Sequence, residues 1–224
     1  MKNFFKKSIY VVMCVILFTS CNETVDHEFS HDENINTWVK DNIELISKYK
    51  RKDLLAFKRE KQRAILRAMS PKQRKVIWEE KVDYILNMNL SKQEMDYLKW
   101  FAEAFKKIDY KSTISDEFSE ELDQKVTFAA KKFNWNKNFV NSTFFSIGNV
   151  SEKDLVTDDS NIQSRQQEPD TCSCRSSFWG CSGLSNDCVK PDECKTDNGD
   201  CGVFGSSNCT GYCSAEIPSE VPKN

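Results

Sequence analysis

The stretch that decides the fold runs from Ser70 to Leu86 and reads Ser-Pro-Lys-Gln-Arg-Lys-Val-Ile-Trp-Glu-Glu-Lys-Val-Asp-Tyr-Ile-Leu. A serine can cap a helix, proline is favoured at the first helical position, and a glutamine three residues after the serine can bond back to the serine backbone. Apolar side chains then recur at helical spacing, at Trp78, Val82, Ile85 and Leu86. The pattern predicts a helix that begins after Ser70 and buries this face.

Similar patterns on the C-terminal side predict two further helices. Ser91 and Glu94 form a second capping box, and Ser115 precedes a third apolar face. The apolar positions of these two faces are Met95, Leu98, Ala102 and Phe105, and then Phe118, Leu122, Val126, Ala129 and Phe133. Weaker apolar stripes cover residues 35–49 and 54–69. Five short helices joined by short polar loops predict a compact bundle between residues 34 and 147.

The overall composition fits an ordinary folded domain. The chain has 224 residues, of which 29% are charged and 39% hydrophobic, and its formal net charge is -2. This length allows one medium domain with a smaller appendage, and the near-neutral charge favours neither a nucleic-acid nor a membrane partner.

One local stretch is strongly basic. Residues 48–75 contain twelve basic residues against two acids, Asp53 and Glu60. Such a stretch can lie against anionic head groups or bind an acidic partner. The alternative, which we favour, is a solvated helix face that is balanced by acids on other helices, such as Glu79, Glu80 and Asp83.

The first twenty residues have the features of an export signal. Three lysines among the first seven residues precede ten apolar residues, Ile9 to Phe18, which are too few to span a bilayer. The sequence Leu-Phe-Thr-Ser before Cys21 resembles a lipobox, although Phe18 replaces the usual aliphatic residue. We therefore predict a lipoprotein signal peptide over residues 1–20, lipidation of Cys21 and a polar tether over residues 21–33. A plain secretory signal is the alternative.

This signal places the mature protein outside the cytoplasm. We expect it in the cell envelope, held to its own membrane by the lipid on Cys21, and either exposed on the surface or released. Nucleic acid is not an expected partner of an exported protein, and no glycine-rich phosphate-binding loop occurs in the chain.

The composition changes near residue 150. Six of the seven glycines and four of the five prolines follow that point. Residues 148–171 are predicted to form a flexible linker because most of this segment is polar and acidic. Residues 172–213 form a cysteine-rich module, and residues 214–224 a frayed tail.

Eight of the ten cysteines lie in this module, at Cys172, Cys174, Cys181, Cys188, Cys194, Cys201, Cys209 and Cys213. An even number at this density in an exported segment predicts disulfides, and such bridges would hold a segment too small for its own core. The pairing stays open among 105 possibilities, although Cys172 and Cys174 are expected to pair with different partners. Zinc binding is the rival interpretation, but the module lacks histidine and has only one tight cysteine pair.

The module also carries large apolar residues. In one interpretation Trp179 and Phe204 fill a miniature core of the module. In the other, some of these side chains form an exposed binding surface for a membrane or a receptor. The candidates for this surface are Phe178, Trp179, Phe204 and Tyr212.

The run Cys-Ser-Cys-Arg-Ser-Ser-Phe-Trp-Gly-Cys over residues 172–181, continued by Asn-Cys-Thr-Gly-Tyr-Cys over residues 208–213, resembles the C-terminal region of the bacteriocin fulvocin C-related proteins. The capped helices that begin with Ser-Pro-Lys-Gln are similar to the helical region that these proteins carry before their cysteines. The resemblance implies a relation to a secreted, cysteine-rich antibacterial peptide.

A short motif in the tether raises the possibility of a zinc peptidase. His27-Glu28-Phe29-Ser30-His31 matches H-E-x-x-H, in which two histidines bind zinc and the glutamate activates water. The motif has no apolar helix around it, and the chain contains no third histidine. We expect a chance match and therefore no metal, cofactor or catalytic residue.

Three functional expectations follow. The first is a non-enzymatic, mostly α-helical lipoprotein of the fulvocin C-related type, whose disulfide-rich C-terminal module acts on the envelope or membrane of a target cell. The second is an envelope-anchored binding or adhesion protein without antimicrobial action. A zinc metallopeptidase through His27, Glu28 and His31 is a remote third.

Overall fold

The computed structural model describes residues 29–30, 32–112, 114–150, 188–189, 197–209 and 212–213. For residues 188–189, 197–200 and 212–213 it describes the backbone only. The predicted signal peptide and Cys21 lie outside the described residues. The same holds for His27, Glu28 and His31 of the H-E-x-x-H motif, for residues 151–171 of the predicted linker and for the tail.

The described part of the chain is mostly α-helical, as predicted. Its eight helices are α1 (Glu33–Asp41), α2 (Ile43–Ile46), α3 (Arg51–Leu54), α4 (Arg59–Ala68), α5 (Pro71–Leu86), α6 (Lys92–Lys106), α7 (Asp116–Phe133) and α8 (Lys137–Phe144). None of the helices described here is long and apolar enough to cross a membrane.

The three predicted helix starts are confirmed. The Ser70 hydroxyl accepts a hydrogen bond from the backbone N–H of Gln73, whose side chain accepts one from the Ser70 N–H. Ser91 and Glu94 form the same reciprocal pair at α6. Ser115 caps α7 through the N–H of Phe118. Each cap satisfies backbone donors that the first turn of a helix leaves without partners.

The number of helices was underestimated, because both weak stripes are interrupted. The first breaks at Asn42, whose side-chain amide donates to the Trp38 carbonyl and so ends α1. The second breaks after α3, where the Gln62 amide donates to the carbonyls of Leu54 and Phe57. Side chains that bond to the backbone compete in this way with continued helix formation.

Helix α8 was not predicted. Helix α7 ends at Asn134, which adopts the left-handed conformation with φ 54°, a conformation that asparagine tolerates. Asn136 then caps α8 by accepting from the Phe139 N–H. Eight residues give too few turns for a clear periodic pattern, although the helix buries Phe139, Val140 and Phe144.

Four short strands lie in the part of the C-terminal region that the structure describes. Strand β1 (Cys188–Val189) pairs antiparallel with β4 (Tyr212–Cys213), and β2 (Asp197–Cys201) pairs antiparallel with β3 (Ser207–Cys209). A 3-10 turn, Val203–Gly205, joins β2 to β3. We call residues 201–209 the inserted loop, because its turn enters the core of the helical domain.

Candidate functional site

The inserted loop places Phe204 among aromatic side chains of three helices. Phe204 is only 1% exposed. Its ring centroid lies 5.9 Å from that of Trp78 on α5, 5.5 Å from that of Phe105 on α6 and 6.0 Å from that of Phe144 on α8. These are ordinary spacings for interacting aromatic pairs. Phe204 is therefore part of the main hydrophobic core.

Hydrogen bonds fix the backbone of the inserted loop as well. The Tyr110 hydroxyl donates to the Phe204 carbonyl over 2.5 Å, and the hydroxyls of Ser119 and Ser207 lie 3.2 Å apart. Both contacts are buried, so each satisfies polar groups that water does not reach. Burial raises the pKa of Tyr110 well above its ordinary value of 10.0, which keeps the phenol a donor.

The turn of the loop has an unusual backbone. Gly202, Phe204 and Gly205 all have positive φ, at 74°, 57° and 60°. Only glycine adopts such angles without strain, so Phe204 holds a conformation that a phenylalanine disfavours. A Cβ atom on Gly205 would lie 3.0 Å from the Trp78 Nε1 atom. The absence of a side chain at Gly205 thus lets the turn rest against the indole ring.

A disulfide closes the loop at its base. Cys201 and Cys209 are bonded, with their Cα atoms 5.2 Å apart. Both are buried, and an Arg63 guanidinium nitrogen from α4 lies 3.9 Å from the Cys201 sulfur and 3.5 Å from the Cys209 sulfur. The bond therefore sits at the boundary between the cysteine-rich segment and the helical domain.

The prediction for Phe204 was wrong in both of its forms. Phe204 neither fills a separate miniature core nor belongs to an exposed binding surface, since it completes the core of the helices. The inserted loop lies within residues 172–213 of the predicted module, and its turn packs into the core of the helices. The physical reason is the apolar surface that can be buried. A loop this short cannot surround a phenylalanine with its own side chains, whereas the space between the helices can.

The other predicted surface residues are not placed in detail. Phe178 and Trp179 lie outside the described residues, and Tyr212 is described only as backbone in β4. Cys188 and Cys213 face each other as register partners of β1 and β4. The remaining predicted disulfide cysteines, Cys172, Cys174, Cys181 and Cys194, also lie outside the described residues.

The basic stretch over residues 48–75 binds the chain's own backbone in several places. Five of its basic side chains donate to carbonyls elsewhere in the fold: Arg51 to Ile147 and Gly148, Arg59 to Phe145, Arg67 to Phe29, Arg74 to Tyr110 and Lys75 to Ile108. Burial lowers the pKa of the Arg51 guanidinium. Much of the local positive charge therefore serves the fold.

Lys81 is a buried cation that the sequence analysis did not identify. Its side chain is fully buried, and its ammonium donates to the carbonyls of Ser142, over 2.6 Å, and Gly148. The Tyr84 hydroxyl donates to the Val150 carbonyl nearby. A signal was present, because Lys81 lies three residues after Trp78 on the face that is otherwise apolar.

One aromatic side chain of the helical domain is largely exposed. Phe128 on α7 is 55% exposed and stacks on Tyr97 of α6 with a centroid separation of 5.9 Å. Among the described residues, no group of three or more histidine, cysteine, aspartate or glutamate side chains is placed to hold a metal ion.

Comparison of the chain with protein-family models, with curated proteins and with solved structures yields no match. The function is therefore inferred from the residues and their geometry.

Proposed function

We propose that this protein is an exported, non-enzymatic lipoprotein of the fulvocin C-related type, in which the helical domain holds the cysteine-rich segment and presents it to the envelope of a target cell. The observation that supports presentation is the burial of Phe204 among Trp78, Phe105 and Phe144. Because the Phe204 side chain is fixed in the core, the backbone before and after Phe204 is held in one orientation relative to the helices.

The working surface then lies in the cysteine-rich segment outside the inserted loop. The proposed contact residues are then Phe178, Trp179 and Tyr212, because Phe204 is buried in the core. Aromatic side chains suit this task because they bring large apolar area and suit the interface between membrane and water. The lipid on Cys21 would hold the protein to its own membrane.

The test is a growth assay with the oxidised, full-length mature protein on related indicator strains. Mass spectrometry of the same preparation reports acylation of Cys21 and the number of disulfides. We expect growth inhibition that is lost in a Trp179→Ala variant and retained in a Phe128→Ala variant. A protein that neither inhibits growth nor binds cells at any concentration would contradict the proposal.

The second candidate is an envelope-anchored binding or adhesion protein without antimicrobial action. The buried Phe204 favours it in one respect, because cleavage of the linker alone would leave the inserted loop seated in the helical core. Cell binding without growth inhibition, by an intact lipoprotein that stays on the producing cell, would identify this function. Growth inhibition of the indicator strains would identify the bacteriocin instead.

A further inference from the structure

We infer that closure of the Cys201–Cys209 disulfide seats Phe204 in the helical core, so that oxidation of this one cysteine pair completes the fold of the helical domain. The inference concerns folding and holds whether or not the protein acts on a target cell. It rests on the shape of the inserted loop, on the partners of Phe204 and on the position of the two sulfur atoms.

The shape of the loop requires an external constraint. Between the two cysteines the chain reverses direction through three residues with positive φ, one of which is Phe204 itself. An open chain rarely samples this set of angles, and a non-glycine residue disfavours them. The disulfide spans a sequence separation of only 8 residues and so restricts the loop to a small number of conformations.

The core in turn requires the loop. Trp78, Phe105 and Phe144 come from three helices and meet at the Phe204 ring, and the buried Tyr110 hydroxyl has the Phe204 carbonyl as its acceptor. Without Phe204 these groups would surround a cavity and lose their packing partner. The disulfide restricts the loop that positions Phe204. It therefore also affects how α5, α6 and α8 pack together, although these helices lie far from the two cysteines in sequence.

The chemistry requires an oxidant, which we take to be a disulfide of the oxidising compartment outside the cytoplasm. The Cys209 thiolate attacks one sulfur of that disulfide and expels the other as a thiolate. The Cys201 thiolate then attacks the Cys209 sulfur and expels the remaining sulfur of the oxidant. Two protein thiols become one disulfide, and the oxidant gains two electrons and two protons.

The first experiment is a double-mutant cycle on the full mature chain. Phe204→Ala is made in the parent and in a Cys201→Ser/Cys209→Ser protein, and the folding equilibrium constant of each is measured by urea unfolding. In the parent, the substitution should lower that constant about a hundredfold or more, as expected for a buried phenylalanine. In the serine background the effect should fall below about threefold, because Phe204 has already left the core.

Phe128→Ala is the matched control, since it removes an exposed phenylalanine of the same domain. It should have the same small effect in both backgrounds. A full Phe204→Ala effect in the serine background would overturn the inference, because Phe204 would then be seated without the bond.

A second measurement decides the matter if the serine protein does not fold. The oxidised parent is reduced and its thiols are alkylated while amide hydrogen exchange is followed by mass spectrometry. Molecules alkylated at Cys201 and Cys209 should exchange about tenfold faster or more around Trp78 and Phe105. Unchanged protection there in the alkylated molecules would overturn the inference.

Discussion

At the scale of single residues, the inserted loop depends on the lack of a side chain at Gly205 and on the hydrogen bond that the Phe204 carbonyl accepts. Gly205 lies against the Trp78 indole because it has no Cβ, and its φ of 60° lies in the left-handed region. The neighbouring Phe204 carbonyl accepts the buried Tyr110 hydroxyl. Two conservative substitutions separate these effects.

Gly205→Ala should destabilise the protein by about 2 kcal/mol or more. The new methyl group would lie 3.0 Å from the Trp78 Nε1 atom at a φ that side chains disfavour, so strain and overpacking add. Urea unfolding measures the loss. Gly148→Ala is the control, because Gly148 lies outside the left-handed region and its nearest neighbour is the Ser146 hydroxyl. Equal effects of the two substitutions would contradict the predicted clash.

Tyr110→Phe should change how stability depends on alkaline pH. Burial raises the pKa of Tyr110 in the folded protein, so above the ordinary value of 10.0 the unfolded chain loses the phenol proton while the folded chain keeps it. The stability contributed by the neutral phenol is complete below pH 10.0 and falls as the pH rises further.

The variant should lack this alkaline decline. At neutral pH it should also be less stable by about 1 to 3 kcal/mol, because the buried Phe204 carbonyl loses its donor. Unfolding measured from pH 7 to 11 tests both statements. An identical alkaline decline in the variant would show that another group is responsible.

At the scale of elements, α5 contacts both the inserted loop and the segment that follows α8. Its Trp78 contacts the inserted loop. Its Lys81, three residues later, donates to the Ser142 carbonyl of α8 and to the Gly148 carbonyl of the segment after α8. Arg51 of α3 binds the same segment through Ile147 and Gly148. Lys81 and Arg51 thus both bind the backbone at the point where the chain leaves α8.

Lys81→Met should destabilise the protein by about 2 kcal/mol or more, because the substitution preserves length but removes the donor to two carbonyls. Hydrogen exchange should increase most over residues 142–150. Lys99→Met is the control, since Lys99 is exposed and pairs with Asp96 on the surface, where an ion pair contributes little. A Lys81→Met protein as stable as the Lys99→Met protein would rule out this role.

At the scale of the whole molecule, the inserted loop packs into the helical domain without a disulfide between the two. Residues 22–171 contain no cysteine, so the contact depends on packing and hydrogen bonds. Phe204 supplies the packing, and Tyr110 and Ser119 supply hydrogen bonds to the inserted loop.

A protein cut within residues 151–171 at an engineered protease site should therefore stay in one piece under non-reducing conditions. The two fragments should coelute in size-exclusion chromatography, because withdrawal of Phe204 would expose its ring and open the core. The same cut in a Phe204→Ala protein should release the C-terminal fragment. Separation of the fragments in the parent would show that the inserted loop is held only by the continuous chain.

The helical class and three helix starts could be predicted from the sequence, because capping depends on residues three positions apart and apolar periodicity repeats within a few turns. The breaks at Asn42 and after α3 were missed because they arise from side chains bonding to the backbone, which a periodic pattern does not show. Helix α8 was missed because it is short.

The sequence by itself thus determined that the chain is mostly helical, where three of the helices begin and that the cysteines gather at the C-terminal end. Only the tertiary structure decided where Phe204 goes and what Lys81 binds. Tyr110 and the carbonyl that it holds are 94 residues apart, and Lys81 and Gly148 are 67 apart. Local patterns carry no information at such separations. A phenylalanine among cysteines looks the same in sequence whether it is exposed or fills a space between helices that have already assembled.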